Sequence, residues 1–91
     1  MADAIITLKI MPESPETDLE NLKEKASELI SKFGGEVGKT EIVPVAFGLK
    51  ALNLVFVMDE NIGSTETLEE DISKIDGVNS VEVSDVRRAI G

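Results

Sequence analysis

Cysteine, histidine, tryptophan and tyrosine are all missing from this 91-residue chain. Without cysteine and histidine there are no disulfides, no thiolate nucleophile, none of the usual zinc ligands and no imidazole general base. Aromatic side chains are scarce, and Phe33, Phe47 and Phe56 do not form a base-stacking pair at strand spacing. Basic residues are also few, nine against eighteen acids, for a net charge of −9. Such a surface repels phosphate backbones, which argues against direct nucleic-acid binding. No apolar run approaches the roughly 20 residues of a membrane span, and no basic segment followed by an apolar run opens the chain. The expected location is therefore the cytoplasm, with no membrane partner. Carboxylates and lysines are plentiful but form no constellation distinguishable from solvated surface, so an enzyme is not expected.

What remains is a hydrophobic share of 42%, ordinary for a globular protein and too high for disorder. The length suits a single domain over residues 1–91. Residues 4–11 read as a strand with Ile6, Leu8 and Ile10 on one face and Ile5, Thr7, Lys9 and Met11 on the other. Pro12 and Pro15 then break the ladder. Thr17 and Glu20 have capping-box spacing, and Leu19, Leu22, Ala26, Leu29, Ile30 and Phe33 follow at helical spacing up to Gly34 and Gly35. Residues 36–45 form a weaker strand whose Pro44 demands an edge position, because proline cannot donate to a ladder. Ala46, Phe47 and Gly48 make a short turn into residues 49–58, the most apolar stretch and hence a central strand. A second helix over about 65–75 turns Leu68, Ile72 and Ile75 inward. Residues 78–86 close the sheet with Val81 and Val83 on one face, leaving 87–91 as a flexible tail.

This β-α-β-β-α-β order, with right-handed crossovers, defines an α+β ferredoxin-like βαββαβ sandwich. Its four-stranded antiparallel sheet has the order 4-1-3-2, with two helices on one face. The two most apolar strands fall in the centre and the proline-bearing one at an edge. Asp59, Asn61, Thr65 and Glu70 match positions 1, 3, 7 and 12 of a calcium loop, but Ser64 stands where position 6 requires glycine. No metal or other cofactor is expected, and those acids read as solvated surface.

Three segments resemble one family, the archaeal-type elongation factor 1-beta proteins. Ile10-Met11-Pro12-Glu13-Ser14-Pro15 follows the first strand as it does there. Pro44-Val45-Ala46-Phe47-Gly48-Leu49 is similar to the family's hairpin signature. Val78 to Val83, followed by Asp85-Val86-Arg87-Arg88, resembles its final strand and tail. The resemblance implies exchange of GDP for GTP on elongation factor 1-alpha, with elongation factor 1-alpha as partner and no covalent chemistry. Eukaryotic members carry this domain at the end of a longer chain and use a lysine just before the C-terminus to disturb the Mg²⁺ site of the GTPase. Counted without gaps, Arg88 stands at that position. Arginine keeps the charge but not the shape. Arg88 is thus the first candidate contact, with Arg87 beside it. Phe47, at the hairpin turn, is a candidate interface anchor, and Lys50 a polar contact next to it. The competing expectation is a ferredoxin-like regulatory module that dimerises and binds a small effector.

Overall fold

A computed structural model describes residues 3–89 of the chain. β1 (Asp3–Pro12) buries Ile6, Leu8 and Ile10 on one face, as their alternation requires. It pairs antiparallel with β3 (Lys50–Asp59) on one side, with Leu8 opposite Leu54 and Ile10 opposite Leu52. On its other side it pairs antiparallel with β4 (Val78–Ala89). β2 (Glu36–Pro44) joins the far edge of β3, so the sheet order is β2-β3-β1-β4. That is the expected order read from the other side, with Pro44 on an edge strand.

α1 (Leu19–Phe33) and α2 (Glu66–Ser73) both feed the core on the face of Ile6, Leu8 and Ile10. α1 contributes Leu22, Ala26 and Ile30, which recur every fourth residue, and α2 contributes Leu68 and Ile72. Against them lie Leu52, Leu54, Phe56 and Met58 of β3. The opposite face of the sheet is uncovered by helix and mixes Ile5, Val55 and Val57 with Thr7 and Lys9.

The start of α1 differs from the sequence reading. Asp18, not Thr17, caps it, its Oδ1 accepting from the backbone N–H of Glu20 at 3.1 Å and of Asn21 at 3.3 Å. Thr17 is engaged upstream, its Oγ1 accepting from the backbone N–H of Ser14 at 3.3 Å. Aspartate and threonine compete for one role; with Thr17 engaged by Ser14, the Asp18 carboxylate takes it, and its charge meets the positive end of the helix. At the other end Gly34 adopts φ 110°, where glycine carries no Cβ penalty, and its N–H donates to the carbonyls of Ile30 and Ser31.

The end of the chain also differs. β4 does not stop at Val86 but runs to Ala89, with Arg87 opposite Ile5 and Arg88 opposite Ala4. Arg87 and Arg88 therefore belong to a ladder rather than to a loose tail. Residues 90 and 91 of the expected tail lie outside the described residues.

Two substitutions test this account. Phe56→Ala, at a side chain with no exposure, is expected to cost about 3–5 kcal/mol in urea unfolding. Asp18→Ala is expected to cost about 1 kcal/mol. If Thr17→Ala proves the costlier of the two cap changes, the capping role assigned to Asp18 is wrong.

Candidate functional site

The sequence candidates fall at two ends of the sheet. Pro44 pairs with Lys50, and between them Ala46–Gly48 forms a single 3-10 turn. The backbone N–H of Val45 donates to the carbonyl of Leu49 at 2.8 Å, which closes the hairpin. Gly48 takes φ 74°, the left-handed conformation that such short hairpin loops need at their last residue. Phe47 therefore occupies the tip of a tightly closed turn. Its side chain lies outside the described part of the structure. Lys50 is exposed and forms one wall of an open pocket of about 290 Å³ together with Pro12, Ser14, Asp18 and Glu20. The hairpin end thus offers a concave surface beside the turn, with the carboxylates of Asp18 and Glu20 and the ammonium of Lys50 among prolines, hydroxyls and Leu19.

The arginines lie at the opposite end. Ala4 opposes Arg88, while Ile10 opposes Leu52 two residues from Lys50. Eight residues of β1 separate the two ends, a span of about 26 Å at ordinary strand rise. A β-bulge decides which way each arginine faces. Thr7 pairs with Asp85 and Leu8 with Val83, so Ser84 is the extra residue. Its hydroxyl donates to the Thr7 carbonyl at 3.3 Å. Before the bulge the odd-numbered Val81 and Val83 share the helix-covered face of β1; after it the even-numbered Val86 and Arg88 do.

The two arginines are consequently not equivalent. Arg87 shares the uncovered face with Asp85, and its Nε donates to Asp85 Oδ2 at 2.9 Å. Arg88 leaves its own strand. Its Nε and Nη2 lie 3.0 and 2.8 Å from Glu60 Oε2, in the 3-10 turn Glu60–Ile62 that follows β3. Nothing in the sequence marked Glu60, since residues 28 apart in the chain obey no local spacing rule. Asp59 fixes this turn, its Oδ1 accepting from the backbone N–H of Asn61 at 2.9 Å. Asp59 and Asn61, two members of the incomplete calcium pattern, thus bond to each other. A third, Thr65, donates its hydroxyl to Glu69. Among the described residues no group of three or more aspartates or glutamates is arranged to hold a metal ion.

At the β2 edge Lys39 Nζ lies 2.6 Å from Glu41 Oε1. That hydrogen bond, and then the attraction between the two charges, holds the lysine proton more tightly than the ordinary pKa of 10.5 would. Cations along both edges of the sheet are therefore partnered by neighbouring carboxylates. No helix among the described residues is long and apolar enough to cross a membrane.

By its sequence, this βαββαβ sandwich falls among the guanine-nucleotide exchange domains. The family model described as "EF-1 guanine nucleotide exchange domain" matches residues 5–89, and the chain belongs to that family. Among curated relatives, elongation factor 1-beta of Methanothermobacter thermautotrophicus is 49% identical over 88 residues, covering 97% of this chain and 98% of the relative. Elongation factor 1-beta of Staphylothermus marinus is 44% identical over 89 residues, covering 97% and 98%. Solved structures with the same fold are more distant. The ACT domain of GTP pyrophosphokinase from Chlorobium tepidum superposes with a TM-score of 0.60 at 21% identity, over 89% of this chain and 97% of the other. The C-terminal domain of MgtC from Mycobacterium tuberculosis gives a TM-score of 0.64 at 15% identity, over 96% and 87%. At those identities the likeness is one of fold alone.

The pair between Arg88 and Glu60 is largely exposed, with side-chain exposures of 69% and 34%. Exposed pairs contribute little to folding. Arg88→Ala is therefore expected to change the unfolding free energy by less than about 1 kcal/mol in urea denaturation. A markedly larger loss would make the pair a structural tie.

Proposed function

We propose that this chain promotes exchange of GDP for GTP on elongation factor 1-alpha by stabilising that GTPase in its nucleotide-free, Mg²⁺-free state. The observation that carries the reading is the family match over residues 5–89, with relatives aligned along nearly their whole length. An exchange factor transforms no substrate. It binds the emptied GTPase better than the loaded one, and by linkage bound nucleotide must weaken the factor's grip by the same factor. The chain's lack of histidine and cysteine suits that role, which asks for no acid, base or nucleophile. We take the protein to act in the cytoplasm, on a protein partner, without direct nucleic-acid contact and not as an enzyme.

Mg²⁺ is the largest local charge at a nucleotide site, bridging phosphate oxygens to protein ligands. A cation brought to that place repels the metal and takes over its ligands. Arg88 is our candidate for this cation, because it stands at the far end of the sheet with most of its side chain in solvent. Arg87, tied to its own strand, is the second. At the opposite end Phe47 and Lys50 form a separate contact, in which the pocket beside Lys50 accepts a projecting group of the partner. With about 26 Å between the two ends, they touch different regions of the GTPase.

Release of fluorescent GDP from elongation factor 1-alpha tests this directly. The chain is expected to accelerate release in a concentration-dependent way. Arg88→Ala is expected to lower the maximal rate severalfold, whereas Phe47→Ala and Lys50→Ala raise the concentration needed for half-maximal effect. No acceleration at saturating protein would sink the reading in favour of a small-ligand regulatory module.

A further inference from the structure

We propose that Glu60 is a positioning residue for Arg88, gripping one side of the guanidinium so that its other edge is presented to the GTPase. This rests on the reading of Arg88 given above. The geometry is specific about which donors are used. Nε donates to Oε2 of Glu60 at 3.0 Å, and Nη2 lies 2.8 Å from the same oxygen. These two nitrogens share the side edge of the guanidinium. The end edge, formed by Nη1 and the outer N–H of Nη2, is left over. That end edge is itself a two-pronged donor that matches a carboxylate or a phosphate.

Glu60 is well placed to act as a fixed grip. It is half as exposed as the arginine, 34% against 69%. The turn that carries it is closed by the Asp59 carboxylate on the N–H of Asn61. It is also seated against the end of α1, where Ile62 Cδ1 comes within 2.9 Å of the place a Cβ on Gly34 would occupy. Arg88 is fixed from the other side by its pairing with Ala4, in the phase set by the Ser84 bulge. Arg87 shares the ladder support, opposite Ile5, but among the described residues its side chain bonds to Asp85, two residues away on the same strand.

A carboxylate next to a functional cation has two opposing effects. It orients the side chain and so removes part of the rotamer loss that docking entails. It also offsets part of the charge. In an exposed pair water screens the offset, and we give the larger weight to orientation. A lysine could not be held this way and still present a second edge, because its ammonium is a single point of charge. The arginine and Glu60 thus form one unit.

The test is a double-mutant cycle on fluorescent-GDP release from elongation factor 1-alpha, using the full chain with Glu60→Gln, Arg88→Ala and both. Glu60→Gln is expected to lower the maximal release rate severalfold with little change in the half-saturating concentration and in thermal unfolding. The double variant is expected to be no slower than Arg88→Ala alone, the non-additivity that marks a shared function. Glu60→Gln as fast as the parent or faster, with Arg88→Ala slow, overturns the positioning role and leaves Arg88 in place. Additive losses, or a Glu60→Gln defect that tracks early unfolding, also overturn it. Arg88→Ala as fast as the parent removes both residues, and with them the reading of Arg88 on which this rests.

Discussion

The position of every candidate residue depends on the two ladders that β1 makes, one with β3 and one with β4. A strand hydrogen-bonded on both sides and buried on one face has no freedom to slide, because a shift of one residue would turn Ile6, Leu8 and Ile10 out of the core. β1 is therefore the ruler of the molecule. It aligns Lys50 with one of its ends and Arg88 with the other. A second irregularity, between Met11 and Pro12, lies before Val81; between Val81 and Arg88 the alignment is adjusted by the bulge at Ser84, which inverts the alternation of β4 in its last part. Without an extra residue there, a strand in continuous alternation carrying Val81 and Val83 on the helix-covered face would also carry Arg87 on it, and Arg88 on the other.

Strand order in this sheet was legible in the sequence because burial leaves a compositional mark. The central strands must satisfy packing on the helix face and pairing on both edges, and so they are rich in Ile, Leu, Val and Phe. An edge strand escapes the second demand, which is how Pro44 is tolerated in β2. The phase within β4 was not legible. Val83, Ser84, Asp85 and Val86 can be threaded with or without a bulge at nearly equal local preference, and only the fixed partner β1 decides between them. The same applies to the extension of β4 to Ala89. Arginines and an alanine carry little strand preference, and what holds them is the free edge of Asp3, Ala4 and Ile5 waiting to be paired.

Sequence spacing likewise found the chemistry within reach of one element and missed the chemistry between elements. The hairpin turn around Phe47, a local structure, was evident from its small residues and Gly48. The contact of Arg88 with Glu60 joins the end of β4 to the loop after β3, two places brought together only by the sheet. The cap of α1 shows a finer limit. Thr17 and Asp18 are both good capping residues, and the outcome was settled by Thr17 bonding to Ser14 in the preceding turn, a competition invisible to a pattern of spacings.

An exchange factor has to let go as surely as it binds, since its complex with an empty GTPase must give way when nucleotide returns. This places a physical limit on the interface. A large apolar contact would hold the partner regardless of its nucleotide state, whereas contacts aimed at the metal and phosphate region are lost when that region is refilled. The two ends of this sheet suit such a division. A net charge of −9 gives the whole molecule a field that attracts a basic partner from a distance but is screened within roughly 10 Å at physiological salt. Within that field the guanidinium of Arg88 is paired with Glu60 and most of its side chain is in solvent; in the proposed complex, the edge that Glu60 leaves free faces the partner's anions. Nucleotide phosphates and their metal compete for the same ground. On the proposed reading, occupation by one excludes the other, and that exclusion asks for no motion of the factor.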